Sequence, residues 1–212
     1  MNIENKKILC VILAGGLSKR FGGSTKTFTK INGITIFERI LNLLKKQNIK
    51  IIINANTKSK KFLESKLPII KDKNQNFQGP LAGILTSMIW AKEKNEGIEW
   101  IFSVPSDTPF LPKNLLEKFT SQINNSKKIY IARSNAQIHP VIGLWNVSLI
   151  ENLEKELRAS NRKIMNWVYK NKFQFVDFYS KNYDPFFNIN RKEDLIDAIN
   201  IDKIISQSCE KL

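Results

Sequence analysis

The chain has 212 residues, 42% of them hydrophobic and 25% charged, close to the globular average, so disorder and collagen-like repeats are excluded. That length fits one compact unit, or at most two small ones, with core enough to fold without staples. A net charge of +15 attracts phosphate as nucleic acid, anionic membrane surface or small ligand, and does not choose among them.

A general drift toward Lys, Asn and Ile, visible at Lys45-Lys46, Lys58 to Lys61 and Lys127-Lys128, accounts for the same excess equally well. Cys10 and Cys209 form no Cys-x-x-Cys pair and no disulfide framework, so a reducing compartment is expected. Lys6-Lys7 before the apolar run Ile8 to Ala14 resembles the start of a signal peptide. The run is at the lower limit for one, however, and Gly15-Gly16 and Lys19-Arg20 follow in place of a cleavage region. No apolar stretch approaches the ~20 residues of a membrane span. A soluble, cytoplasmic protein is expected.

Taken in chain order, short apolar runs alternate with helical patterns, the mark of a parallel sheet built from βαβ units. Ile8 to Leu13 predicts the first buried strand. Ile36, Ile40, Leu43 and Leu44 give one apolar helix face, and Ile49 to Ile53 a second strand. A lysine-rich helix over about Lys58 to Lys66 follows, then a short strand at Pro68 to Ile70 and a loop ending in Gly79-Pro80. Leu81, Ile84, Leu85 and Met88 mark the next helix. Trp100 to Val104 is a fourth strand, and Pro112 to Ile123 a helix whose proline sits in the first turn, where no N–H is missed. Further strands are predicted at about Lys128 to Ala132, Val141 to Trp145 and Phe173 to Phe178, with helices between Ser148 and Asn171 and from Arg191 to Asn200. The reading is a single α/β domain, Rossmann-like, with a mostly parallel sheet flanked by helices. No metal-finger spacing, heptad or RNP pattern supports a nucleic-acid module.

Ligands of open parallel sheets bind beyond the carboxyl ends of the strands. Leu13-Ala14-Gly15-Gly16-Leu17-Ser18-Lys19-Arg20-Phe21-Gly22-Gly23 leaves the first strand there, with Lys26 close behind. Its Gly pairs let backbone amides approach an anion, and its bases supply charge, so it suits a triphosphate; a plain glycine-rich turn is the alternative. It is neither a Walker A loop nor GxGxxG. Asp107, in Val104-Pro105-Ser106-Asp107-Thr108-Pro109, lies several residues too early to cap the following helix. A carboxylate at a strand end suits Mg2+, which takes one or two carboxylates together with substrate phosphates. Asp72, after the third strand, is either a second charge in the site or a turn residue.

These blocks together, with Asn54-Ala55-Asn56, Gly79-Pro80-Leu81-Ala82-Gly83, His139-Pro140, Asn188-Ile189-Asn190 and Glu193-Asp194-Leu195, resemble the molybdenum cofactor guanylyltransferase (MobA) family. The resemblance runs in order from about residue 8 to 198. It implies the nucleotide-diphospho-sugar-transferase-like form of the fold. One domain would span 1–212, with a GTP- and Mg2+-binding half over about 1–110 and a molybdopterin-binding half over about 111–200. It also implies transfer of GMP from GTP to molybdenum-molybdopterin with release of pyrophosphate. Carried over by position, it makes Leu13, Ala14, Gly15, Lys26, Asn54 and Asp72 GTP-contacting residues. Lys26 and Asp107 become the catalytic pair, with Asp107 the Mg2+ ligand. Thr25 departs from the family, which often carries an acidic residue there.

The implied partners are GTP and molybdenum-molybdopterin, with no membrane and no nucleic acid; a protein that delivers the cofactor, or a molybdoenzyme that receives it, is compatible. A phosphate acceptor needs no strong base, so no His-based triad is expected. His139, the only histidine, is set outside the catalytic group, on the pterin side or in a structural role. Arg158, Arg162 and Lys163 either meet the pterin phosphate or form a solvated basic face. Trp90, Trp145 and Trp167 read as core. Backbone groups of Gln78 to Gly83 can offer a guanine both donor and acceptor, with Gly79 and Gly83 permitting close approach. The rivals are a CTP- or sugar-phosphate-using relative, whose first motif commonly begins Ala-Ala-Gly where this chain has Ala14-Gly15-Gly16, and a non-enzymatic nucleic-acid binder.

Overall fold

Six consecutive apolar residues, Ile8–Leu13, form the central strand β1 with every side chain buried, as expected of a strand covered on both faces. The structure, a computed structural model, describes residues 5–15, 26–56, 59–72, 79–94 and 96–209. In chain order, β1 is followed by β2 (Lys30–Ile31), β3 (Ile34–Thr35), α1 (Ile36–Lys45), β4 (Lys50–Asn54), α2 (Lys60–Glu64), β5 (Ile69–Ile70) and α3 (Pro80–Lys94). Then come β6 (Trp100–Pro105), α4 (Leu115–Thr120), β7 (Ile129–Ser134), β8 (Gln137–Asn146), α5 (Ile150–Arg158), α6 (Ile164–Tyr169), β9 (Phe173–Phe178) and α7 (Asp194–Cys209).

Seven strands form one sheet in the order β5-β4-β1-β6-β8-β7-β9. Only β8 runs against its neighbours β6 and β7. The other six therefore end at one edge, where β8 begins. Ile36, Ile40 and Leu44 of α1, Leu115 and Phe119 of α4, and Ala198 and Ile201 of α7 cover one face. Leu81, Ile84, Leu85 and Met88 of α3, Leu153 and Leu157 of α5, and Trp167 of α6 cover the other. Trp145 and Trp167 are fully buried, and Trp90 is a half-buried ring packed on the same cluster. Cys10 is buried in β1, which pushes its thiol pKa up. Among the described residues no helix is long and apolar enough to cross a membrane.

The structure differs from the sequence reading at four places. The β2–β3 hairpin, which periodicity does not announce, turns at Asn32 and Gly33, both at positive φ, a pairing that Asn-Gly adopts readily. Its last residue, Thr35, caps α1: Glu38 N donates to Thr35 Oγ1 at 3.1 Å, and Thr35 N donates to Glu38 Oε2 at 2.8 Å. Pro112 does not open α4, which begins at Leu115 after Asn114; the proline that occupies a first helical position is Pro80 of α3. β8 is longer than Val141 to Trp145 and carries a bulge. Ile131 faces Gly143 and Ala132 faces His139, leaving Pro140, Val141 and Ile142 unmatched. Pro140 has no N–H to give a ladder, so the bulge falls where the ladder would fail. Ser103 Oγ donates to the freed Val141 carbonyl at 2.7 Å. The helices expected between 148 and 171 are α5 and α6, whereas α7 starts at Asp194 and runs past Asn200 to Cys209.

Candidate active site

Asp107 lies two residues beyond β6, in a turn fixed to β1 by Ser106 N donating to Leu13 O at 3.1 Å. Its Oδ2 accepts from Lys26 Nζ at 2.8 Å, with the two side chains only 24% and 13% exposed. Its Oδ1 is buried and has no hydrogen-bond partner among the described residues. A buried carboxylate oxygen left without a donor costs on the order of 1–3 kcal/mol, more when charged, so it is suited to a cation. Lys26 opens a short 3-10 turn held down by the buried bond from Thr27 Oγ1 to Ser106 Oγ at 2.9 Å. Among the described residues no three His, Cys, Asp or Glu side chains gather as a metal cage. A Mg2+ ion on Asp107 would thus draw its other ligands from phosphate and water, as that ion commonly does.

A second polar group lies at the ends of β4 and β5. Asp72 Oδ1 accepts from Asn54 Nδ2 at 2.9 Å and from Thr86 Oγ1 at 3.2 Å, and its Oδ2 accepts from Asn56 Nδ2 at 2.9 Å. Asp72 N donates to Asn56 Oδ1 at 3.0 Å. Ala14 N donates to Asn54 O at 2.8 Å, which seats the exposed Gly15 beside both asparagines. Gly83 of α3 lies so close that a Cβ there would stand 2.4 Å from Asn54 Oδ1 and 2.7 Å from Leu13 Cδ2. Its close approach therefore serves the packing of α3 on Asn54 and Leu13. Gly79, at positive φ, precedes Pro80 at the start of α3, and its carbonyl accepts from Ala82 N at 3.1 Å.

The segment after β9 crosses back over this edge. Ile189, fully buried, donates its N–H to Asp107 O at 3.1 Å. Asn190 Oδ1 and Asn188 Oδ1 accept from Lys26 Nζ at 3.0 and 3.3 Å. Asp194 Oδ2 accepts from the N–H groups of Asn190 and Arg191, which holds its carboxyl below the ordinary range. Among the described residues, one carboxylate and two amide oxygens thus hold the Lys26 ammonium at this edge.

The profile of the MobA-like NTP transferase domain matches residues 10–172, more than half of the chain. The molybdenum cofactor guanylyltransferase of Nitrobacter hamburgensis is 39% identical over 200 residues, covering 93% of this chain and 96% of the relative. That of Rhodopseudomonas palustris is 34% identical over 190 residues, 89% of each chain. The chain belongs to the MobA-like NTP transferase family. It is accordingly an enzyme of the nucleotidyltransferase class, and its curated relatives are molybdenum cofactor guanylyltransferases. Among solved structures, molybdopterin-guanine dinucleotide biosynthesis protein A from Archaeoglobus fulgidus superposes with a TM-score of 0.70 at 21% identity, over 97% of this chain and 100% of that one. A 4-diphosphocytidyl-2C-methyl-D-erythritol synthase from Anaerococcus prevotii gives 0.70 at 13% identity, over 94% and 97%. These two likenesses speak for the fold.

On this MobA-like fold the residues singled out in the sequence divide into two groups at one edge. Lys26 and Asp107 meet at the end of β6, while Asn54 and Asp72 meet at the ends of β4 and β5, with Leu13, Ala14 and Gly15 leaving β1 between them. The glycine-rich loop from Gly16 to Thr25, and Gln78 of the segment Gln78 to Gly83, lie outside the described residues. Asn56, Thr86, Asn188 and Asn190 had no assigned role in the sequence reading. The Asn188-Ile189-Asn190 block stands out as a motif, yet its link to Lys26 spans more than 160 positions and carries no local signal. Lys128 N donates to Lys172 O and Asn146 N to Lys128 O, both at 2.9 Å, so α5 and α6 leave and rejoin the amino edge. Arg162 and Lys163 lie in the turn between α5 and α6. Arg158 is 71% exposed and paired with Glu154.

Proposed function

We propose that this chain transfers GMP from GTP to the terminal phosphate of molybdenum-molybdopterin, releasing pyrophosphate and forming the guanine dinucleotide cofactor. The observation that carries the reading is the Lys26–Asp107 contact with an orphaned Asp107 Oδ1 beside it, at the carboxyl edge of a MobA-like fold. In this reading Leu13, Ala14, Gly15, Asn54 and Asp72 receive the nucleotide, and the first half of the chain forms the donor site. Asp72, gripped by Asn54, Asn56 and Thr86, presents a fixed acceptor to the N–H groups of a base or the hydroxyls of a ribose. The second half covers the acceptor, with Arg162 and Lys163 supplying charge for its phosphate.

An acceptor phosphate oxygen attacks the α-phosphorus, the bond from that phosphorus to the bridging oxygen breaks, and pyrophosphate departs with the electron pair. Lys26 is held by Asp107, Asn188 and Asn190 where it can neutralise the growing negative charge. The acceptor is already ionised near neutral pH, so no side chain has to remove a proton. Mg2+ at Asp107 Oδ1 would supply further neutralisation of the triphosphate. Catalysis rests on positioning and charge, in a cytoplasmic setting where GTP is at hand. A cofactor-delivering protein or a molybdoenzyme would meet the same edge. Incubation with GTP, Mg2+ and molybdenum-molybdopterin should release pyrophosphate and yield the guanine dinucleotide. Failure to form it, with nucleotide bound, would overturn the reading.

A further inference from the structure

Three polar side chains outside the group around Lys26 form a continuous hydrogen-bonded chain. Ser134, at the end of β7, is 1% exposed. Its Oγ lies 2.6 Å from His139 Nε2 and 2.7 Å from Asp184 Oδ1. The bulge in β8 sets His139 opposite Ala132 and so on the face that Ser134 shares, since residues two apart point the same way. A carboxylate only accepts, so the Ser134 hydroxyl donates to Asp184 and its oxygen must accept from His139 Nε2–H. Burial lowers the His139 pKa while the Asp184 carboxylate, 3.7 Å from Nε2, opposes the change.

Asp184 is where this chain meets the segment that crosses the site. Its Oδ1 accepts from Phe186 N at 2.9 Å and its carbonyl from Phe187 N at 3.0 Å. Phe186 is buried against the His139 ring, with centroids 4.8 Å apart. Two residues later Asn188 reaches Lys26, and Ile189 bonds to Asp107. The crossing segment is thus pinned at its far end by Asp194 under α7 and at its near end by Asp184.

We propose that His139 is a positioning residue for the transfer step: through Ser134 and Asp184 it fixes segment 184–190 so that Asn188 and Asn190 hold Lys26 against Asp107. This rests on the guanylyltransferase reading above. His139 touches neither Lys26 nor Asp107 in this chain of contacts; it acts through the backbone turn at Asp184. The imidazole supplies an N–H at a fixed point that a hydrocarbon of equal size does not.

Because His139 is the only histidine, two measurements isolate it. In 15N spectra of the intact wild-type protein near neutral pH, the ring should occupy the Nε2–H tautomer, and Ser134→Ala should erase that preference. A wild-type ring in the Nδ1–H form would overturn the hydrogen-bonded chain. In pyrophosphate-release assays with GTP, Mg2+ and molybdenum-molybdopterin, His139→Leu should lower kcat by about tenfold or more with KM for GTP within about twofold, the mark of lost positioning. His139→Gln, whose amide offers an N–H near the same point, should recover most of that loss. Leu and Gln variants falling equally, or an unchanged His139→Leu enzyme, would overturn the proposal. A wild-type protein that binds GTP but releases no pyrophosphate overturns the transferase reading instead, and the tautomer still decides the chain of bonds.

Discussion

The two oxygens of Asp107 sit in unlike surroundings, one on Lys26 and the other buried without a donor among the described residues. Asp107→Asn keeps the shape and removes the charge. Pyrophosphate release should fall by about 10²-fold or more, as when one preorganised charge partner is lost. The unfolding midpoint in urea should stay near wild type, since the Asn amide oxygen can still accept from Lys26 and the buried position no longer carries a charge left without a donor. Normal turnover in this variant would make the carboxylate structural. Lys26→Ala should weaken both GTP binding and turnover, measured by calorimetry and by pyrophosphate release. Asp107 and Lys26 were legible in the sequence because each follows a recognisable strand or loop. Asn188 and Asn190 were not, because what defines them is a lysine 162 and 164 positions away.

At the scale of elements, two glycines predict different effects on GTP binding for the same substitution. Gly83→Ala would press a methyl into Asn54 and Leu13, costing about 1–3 kcal/mol as overpacking does, and would push Asn54 off Asp72, so GTP binding should weaken too. Gly33→Ala meets nothing within 4 Å but sits at positive φ, so it should cost only about 1–2 kcal/mol and leave nucleotide affinity unchanged. Urea unfolding with parallel GTP titration separates the two. β1, β4 and β6 were legible because strands buried on both faces read as nearly unbroken apolar runs, Ser103 being the one polar residue inside β6. The β2–β3 hairpin has strands of two residues each, too short to alternate. The reversed direction of β8 has no signature in periodicity, and Pro140 breaks the run that would have shown its length.

Across the whole molecule, α7 ties the late part of the chain to α1 and the β2–β3 hairpin. Arg39 of α1 holds Asp202 through two bonds at 2.5 and 2.9 Å, and Asn32 of the hairpin adds a third at 2.8 Å. Burial alone would raise the Asp202 pKa, but the bonds from Arg39 and Asn32 outweigh it and leave it below the ordinary 3.8. A carboxyl depressed by folding adds stability that is present above its unfolded value and lost as pH falls through the folded one. Thermal unfolding should therefore lose stability below pH 3.8, and Asp202→Asn should flatten that acid limb. The lowered His139 pKa acts earlier: its contribution is full above the ordinary 6.5 and declines as pH falls below that.

Under the proposed function the net charge of +15 has small phosphates to meet, and the nucleotide is where that reading is most exposed. A site built to hydrogen-bond guanine can reject a base that leaves its polar groups unpaired by about 10⁴-fold or more. The decisive measurement is pyrophosphate release with molybdenum-molybdopterin and Mg2+, offering GTP, CTP, UTP and ATP in turn. Turnover with GTP, far above the other three, is the predicted result; equal or faster turnover with CTP would contradict it and make the protein a cytidylyltransferase on the same fold.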